Sequence, residues 1–157
     1  MKSFFGKRLR PRAFARSESG TQLVELAIVL PVLLVLFGAA AEFGRFFYTY
    51  QTLAKSTRSS ARFLTTKAVE GAGADTIATN LAVYGNTDGS GDPLVRGLGP
   101  EHVAIVREGG VGTNYERVKV QIQDFEYQPL FDIGGFFGDA KVSLNVNVSP
   151  STTMRFF

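Results

Sequence analysis

Residues 23–41 form an almost uninterrupted apolar run, which constrains the fold more than any other feature of the chain. Glu25 is the only ionisable residue in the run, and Pro31 and Gly38 are its only helix-disfavouring residues. As a helix the run would be about 28 Å long, close to the ~30 Å hydrocarbon thickness of a bilayer. It therefore predicts one membrane-spanning helix.

The charge of the chain is concentrated before this run. Six of the 17 basic residues lie there, against one of the 14 acidic residues, so the rest of the chain carries a net charge of −2. Basic residues beside an apolar segment favour the cytoplasmic side. We expect the N-terminus inside and the chain after Ala41 outside, and the negative remainder argues against nucleic-acid binding.

Helical periodicity continues beyond the apolar run. Apolar residues recur there at spacings of three and four, which is typical of an amphipathic helix that packs on a protein surface. They are Phe43, Phe46, Phe47, Tyr50, Leu53, Ala54, Ala61 and Leu64. We predict one helix from about Gln22 to Leu64, with Gly71 and Gly73 ending the pattern.

The remaining residues predict a short helix at 75–84 with Ile77, Leu81 and Tyr84 on its apolar side, a turn-rich loop at 84–100 and three strands. The strands are predicted at His102–Arg107, Arg117–Tyr127 and Lys141–Val148, and the last two alternate apolar with polar side chains. Such strands form an antiparallel sheet with one solvent-exposed face. The other face is apolar and must pack against another element. We expect the amphipathic second half of the long helix to pack on this apolar face.

These patterns predict an α+β protein in which a long N-terminal membrane-spanning helix continues into an amphipathic stalk on a small antiparallel β-sheet. The predicted parts are a basic cytoplasmic leader (1–20), a long helix (21–64, membrane part about 23–41) and an extracytoplasmic α+β domain (65–157). With no cysteine in the chain, that domain must fold without disulfides.

Glu25 is unusual because a charge at the bilayer centre costs about 2.5–3.5 kcal/mol on insertion scales, and less near the ends. Gly20 precedes it by five residues. Cleavage after Gly20 would give Thr21 a new ammonium group one helical turn from Glu25. Without cleavage, the carboxylate would still gain about 0.3–1 kcal/mol from the helix N-terminus.

A basic leader ending in glycine, a glutamate five residues later and a long apolar helix resemble the processing site of type IV pilins and pseudopilins, which prepilin peptidase cuts on the cytoplasmic side. The segment VELAIVLPVLLVLFGAAAEFGRFFYTYQTLAKSTRSSARFL further resembles the TadE-like pseudopilins of tight-adherence (type IVb, Flp) pilus systems. The features that carry this resemblance are Val24-Glu25, Leu30-Pro31, Glu42-Phe43-Gly44-Arg45 and Ala61-Arg62.

The resemblance implies a minor, noncatalytic pilin-like subunit of the bacterial inner membrane, without a cofactor, that helps to assemble a tight-adherence pilus or a related secretion apparatus. Its expected partners are prepilin peptidase, other pilin or pseudopilin subunits through the N-terminal helix, and the inner-membrane assembly platform. The expected processing residues are Gly20, Thr21 and Glu25. The expected helix-packing and assembly residues are Glu25, Pro31, Glu42, Phe43, Gly44 and Arg45.

Two other targeting interpretations remain open at this point. Ala39 and Ala41 form the A-x-A pattern of ordinary signal peptidase, and cleavage after Ala41 would release a soluble secreted binding protein. An uncut chain would keep residues 1–20 and serve as a single-span envelope anchor.

Other chemistry has weaker support in the residues. Asn86, Asp88 and Asp92 are spaced as in a calcium loop, but the twelfth position is Gly97 and not the glutamate of an EF-hand, so we favour a plain turn. The single histidine, His102, has no cysteine or recognisable nucleophile arrangement to act with, so we expect it to cap or border a strand.

Overall fold

The computed structural model describes residues 18–66, 73–109, 116–130 and 145–156. Residues 1–17 of the predicted leader, Gly71 and residues 141–144 of the third predicted strand lie outside these described residues. The chain divides into two compact units, residues 1–39 and 40–157. The α+β class with a long apolar N-terminal helix is confirmed.

Helix α1 runs from Glu18 to Leu64 without interruption, ending where the periodicity predicts and beginning four residues earlier. Its first half exposes large apolar side chains, with Leu23, Ile28 and Phe37 each about two-thirds or more exposed. An 18-residue window in α1 has a mean hydropathy of 2.6, so this helix is long and apolar enough to cross a membrane once.

Pro31 lies inside α1. Proline has no backbone N–H, so the carbonyl of Ala27 lacks the donor that the fourth residue along a helix normally supplies. In a bilayer, such a carbonyl favours a polar partner from a neighbouring helix or a bound water.

In the residues that the structure describes, the second unit contains helix α2 (Ala74–Val83), a short 3-10 helix (Pro100–His102) and five strands. The strands are β1 (Val103–Glu108), β2 (Arg117–Ile122), β3 (Glu126–Tyr127), β4 (Val146–Asn147) and β5 (Ser151–Arg155). One antiparallel sheet has the order β1-β2-β5, and β3 pairs with β4 in a second. Because β2 is central, its apolar face anchors the core.

The predicted alternation of β2 is confirmed, since Val118, Val120 and Ile122 are fully buried and the residues between them are not. The second half of α1 covers this face, with Leu53 in a core cluster beside Ile122 and Ala61 in one beside Val118 and Val120. The predicted packing of the stalk on the sheet is therefore observed.

The inner face of α1 carries small hydroxyl residues at its closest contacts. Thr57 and Ser60 are fully buried. The Thr57 hydroxyl lies 3.1 Å from that of Thr152 on β5, and the Ser60 hydroxyl donates to the Ala78 carbonyl on α2 at 2.6 Å. Each buried hydroxyl thus has a partner, as a stable core requires.

Several local predictions need correction. The strand predicted at 117–127 is broken after Ile122, where Asp124 adopts a positive φ of 54° and turns the chain into β3. Only Val146–Asn147 is a strand in the described part of the third prediction, and β5 was not predicted. The most buried residues of α2 are Ala74, Ala78, Ala82 and Val83 rather than Ile77, Leu81 and Tyr84.

Candidate functional site

The predicted processing residues lie in the first turns of α1. Gly20, Thr21 and Glu25 are all helical and exposed, and Thr21 lies four residues before Glu25, so the two share one helix face. The first turn of a helix lacks partners for its N–H groups and opens most readily. Gly20 and Thr21 lie in this first turn of α1.

Glu25 lies among exposed apolar neighbours, with Val24 and Leu26 more than half exposed on either side. Within the part of the chain that the structure describes, no hydrogen bond or ion pair engages its carboxylate. A charge in apolar surroundings without a partner is costly. This carboxylate is therefore available to a cation from outside the described residues.

Glu42, the first residue after the apolar run, has the opposite environment. It is only 7% exposed. Its carboxylate accepts hydrogen bonds from the Tyr127 hydroxyl at 2.5 Å and from the Leu130 N–H at 3.2 Å. Arg45 places a guanidinium nitrogen 3.8 Å away, one helical turn along. A buried carboxylate with these partners is held in place rather than left free to bind.

Tyr127 joins α1 to strand β3. Its ring meets Phe46 edge to face at 5.3 Å, and the Arg45 guanidinium carbon lies 5.8 Å from the ring centroid. Burial raises the pKa of Tyr127 to about 12, assisted by the hydrogen bond to Glu42 and by its negative charge, whereas Arg45 acts in the opposite direction. The phenol therefore stays protonated and remains a donor at neutral pH.

The Glu42-Phe43-Gly44-Arg45 segment divides between two faces of α1. Glu42 and Arg45 contact their own domain, whereas Phe43 is 70% exposed. At Gly44, apart from its two chain neighbours and the nearby backbone of α1 itself, no atom of the described residues lies within 4 Å of the position that a Cβ would take. Phe43 and Gly44 therefore form an open surface where another helix can approach closely.

Residues 20–62 match the family model described as TadE-like protein. Over these residues the chain is similar to TadE-like proteins. No curated protein and no solved structure matches the chain. The family match supports a pilus-associated, pilin-like subunit, which is a structural rather than an enzymatic class.

The TadE-like segment begins at Gly20 and ends at Arg62, two residues before the end of α1. It contains every predicted processing and assembly residue, in both units of the chain. The strands lie beyond the matched residues. The resemblance to TadE-like proteins, which was predicted from the sequence of this helix, is therefore confirmed over the matched residues.

Sequence reasoning missed the partners of Glu42. Tyr127 follows Glu42 by 85 residues and Leu130 by 88. No local pattern links positions so far apart, and the Leu130 donor is a backbone group that any residue type would supply. A tyrosine on an apolar strand face is the one clue, because a buried phenol usually has a polar partner.

The loop that resembles a calcium site uses its oxygens within its own turn. The Asn86 side-chain oxygen accepts from the N–H groups of Gly89 at 2.8 Å and Ser90 at 3.3 Å, and its amide donates to the Ser90 carbonyl. Asp88 accepts from Thr87. Among the described residues, no group of three or more His, Cys, Asp or Glu side chains is arranged for a metal. The geometry is that of an asparagine-closed turn.

His102 directly precedes β1. Its Nδ1 accepts the N–H of Gly99 at 3.0 Å, and its ring meets Phe125 edge to face at 5.8 Å. These contacts fix the chain at the entry to the strand, as expected for a histidine that caps or borders it.

Proposed function

We propose that this chain is a minor pseudopilin, matured by prepilin peptidase between Gly20 and Thr21, that helps to assemble a tight-adherence pilus or a related secretion apparatus. The family match over residues 20–62 carries the proposal, together with the Gly20 to Glu25 spacing at its start. The basic residues before the helix favour an inner-membrane orientation with the domain outside.

In this proposal Glu25 is the partner of a terminal amine. An ammonium at Thr21, in the same chain or a neighbouring subunit, neutralises a carboxylate that has no described partner. Pro31 adds a carbonyl, that of Ala27, which accepts a hydrogen bond from a neighbouring helix or a water.

Phe43 and Gly44 provide the second packing position, because both face away from the domain. Glu42 and Arg45 contribute to assembly indirectly, by fixing the domain on the helix that packs. The partners are other pilin or pseudopilin subunits, the inner-membrane assembly platform and prepilin peptidase.

The decisive experiment is the N-terminal sequence and intact mass of the mature protein from its native host, with and without its prepilin peptidase. A peptidase-dependent terminus at Thr21 is the expected result. A terminus at Glu42 would instead identify a secreted protein released by signal peptidase. An intact leader in both strains would identify an uncut anchor and reject pilin-type maturation.

Glu25→Gln tests the second part of the proposal, since it removes the charge and keeps the shape. We expect pilus assembly to be lost while the outer domain keeps its thermal stability and cleavage continues. Leu26→Ala is the matched control at the neighbouring exposed position. Normal assembly by Glu25→Gln would remove the proposed role of this carboxylate.

A further inference from the structure

An open groove of about 690 Å³ lies in the second unit, along the exposed face of α1 from Tyr48 to Ser59. One wall is the polar face of α1, including Gln51, Lys55 and Arg58. The opposite wall contains Leu81 of α2 and Leu94 of the loop that follows α2. The groove therefore has a cationic side and an aliphatic side.

The two cations of the groove lack partners among the described residues. Lys55 and Arg58 are exposed, no ion pair engages either of them, and no carboxylate lines the groove. Arg107 on β1 contrasts with them, because it pairs with Asp75 through two hydrogen bonds. A guanidinium and an ammonium on neighbouring turns are suited to carboxylates, which the guanidinium can bind in a two-point contact.

The aliphatic wall is held rigidly. The Leu94 N–H donates to the Val83 carbonyl at 2.8 Å, and Asn80 donates to the Thr87 carbonyl at 3.1 Å, so two hydrogen bonds tie the loop to α2. Leu94 approaches Gly85 closely, and its Cδ2 lies 3.1 Å from the position of a Cβ there. Gly85 also has a φ of +74°, which glycine adopts without strain. The groove is thus formed before any ligand arrives, which lowers the cost of binding.

We propose that this groove binds an acidic, extended segment of a partner protein, whose carboxylates meet Lys55 and Arg58 and whose aliphatic side chains meet Leu81 and Leu94. Charge complementarity argues for the acidic character. The aliphatic wall argues for a peptide, because a nucleic acid or an acidic polysaccharide has no aliphatic side chains to cover these two leucines. The groove shares the Gly44 side of α1 but lies further along it, beginning about one turn beyond Gly44 at Tyr48, with Lys55 and Arg58 about three and four turns beyond. Its binding of a peptide therefore does not require helix packing at Phe43 and Gly44.

The test uses the full chain in phosphatidylcholine nanodiscs, with empty nanodiscs as the blank. The probe is a fluorescein-labelled peptide of alternating glutamate and leucine, and its binding is followed by fluorescence anisotropy at low and at about 0.15 M salt. Two comparison peptides replace either every glutamate by glutamine or every leucine by serine. Polygalacturonate and oligothymidylate serve as competitors that are acidic but carry no aliphatic side chains.

We expect the glutamate-leucine peptide to bind, and both comparison peptides to bind at least tenfold more weakly. Lys55→Gln with Arg58→Gln should weaken binding of the first peptide at least tenfold. Arg117→Gln with Lys119→Gln removes the same charge from β2 and should leave binding unchanged. Thermal unfolding of each variant checks that the domain is intact.

The alternative outcomes each overturn the proposal. If both double variants lost peptide binding equally, binding would depend on the net charge of the protein and not on the groove. The glutamate-serine peptide could bind as tightly as the glutamate-leucine peptide, or polygalacturonate or oligothymidylate could compete at equal carboxylate or phosphate concentration. Either result would show a surface that binds any anionic polymer and not a groove that binds a peptide. No binding of the glutamate-leucine peptide at low salt would reject the groove as a site.

Discussion

The two halves of α1 differ in which kinds of side chain are exposed and which are buried. In the first half the large apolar side chains are the exposed ones, with Leu33 at 53% and Leu34 at 61% exposure. In the second half the fully buried positions include the hydroxyl residues Thr57 and Ser60. Hydrophobicity along one helix thus fails to predict burial, because lipid and protein are different surroundings for the same side chains.

Replacing a leucine by alanine in each half tests this difference most strongly. Leu53→Ala removes a fully buried side chain, so we expect the domain to lose about 2–5 kcal/mol of unfolding free energy. Leu33→Ala should change it by less than about 0.5 kcal/mol. Thermal unfolding followed by near-ultraviolet circular dichroism of the tyrosines measures both. Similar losses would mean that the first half also supports the domain.

The contact between Glu42 and Tyr127 should have the next largest effect. Glu42→Ala leaves the Tyr127 hydroxyl and the Leu130 N–H without their acceptor, which we expect to cost about 2–3 kcal/mol. Tyr127→Phe removes the same bond, so the double variant should cost less than the sum of the single ones. Tyr48→Phe, at a position 72% exposed on the same helix, is the control. Additive losses would show that the two groups act separately.

The raised pKa of Tyr127 predicts a loss of stability in alkali. Folding raises this pKa from 10.0 to about 12, so the folded state holds the phenol proton more tightly than the unfolded chain does. The contribution, roughly 3 kcal/mol, is complete below pH 10 and is lost as the pH rises to about 12. Tyr127→Phe should lack this component in urea unfolding across that range. An unchanged pH profile in the variant would contradict the assignment.

The smallest effect is expected from the ion pair between Asp75 and Arg107, which joins α2 to β1. Both side chains are more than two-fifths exposed, so Asp75→Asn should cost only about 0.2–1 kcal/mol, and less at high salt. Asp92→Asn in the exposed loop is the control. A loss that salt does not reduce would indicate a role other than charge pairing.

Local patterns predicted α1 and β2 because each depends on the spacing of side chains along one element. They did not predict β5, since Ser151-Thr152-Thr153-Met154-Arg155 shows no alternation of apolar and polar residues. The buried face of α2 was misjudged for a related reason. Ile77 and Leu81 are more hydrophobic than Ala78, but Ala78 lies where Ser60 of α1 comes within hydrogen-bonding distance, and only a small side chain fits there.

The candidate site shows the same limit. The spacing of Gly20 and Glu25 drew attention to them, but their predicted processing role, like the role of the Glu42-Phe43-Gly44-Arg45 segment, came from the resemblance to a family. Which of those four residues face the domain depends on Tyr127 and Leu130, more than eighty positions later. Long-range contacts of this kind follow from the assembled fold and not from any segment of it.

The same sequence separation means that the contact between Glu42 and Tyr127 can form only late in the synthesis of the chain. The 85 residues after Glu42, up to and including Tyr127, must be made before the bond can form, which takes roughly 4–17 s at the ~5–20 residues per second of protein synthesis. The hydrogen bond between Tyr127 and Glu42 therefore forms late, and its presence indicates that β3 has already packed against α1.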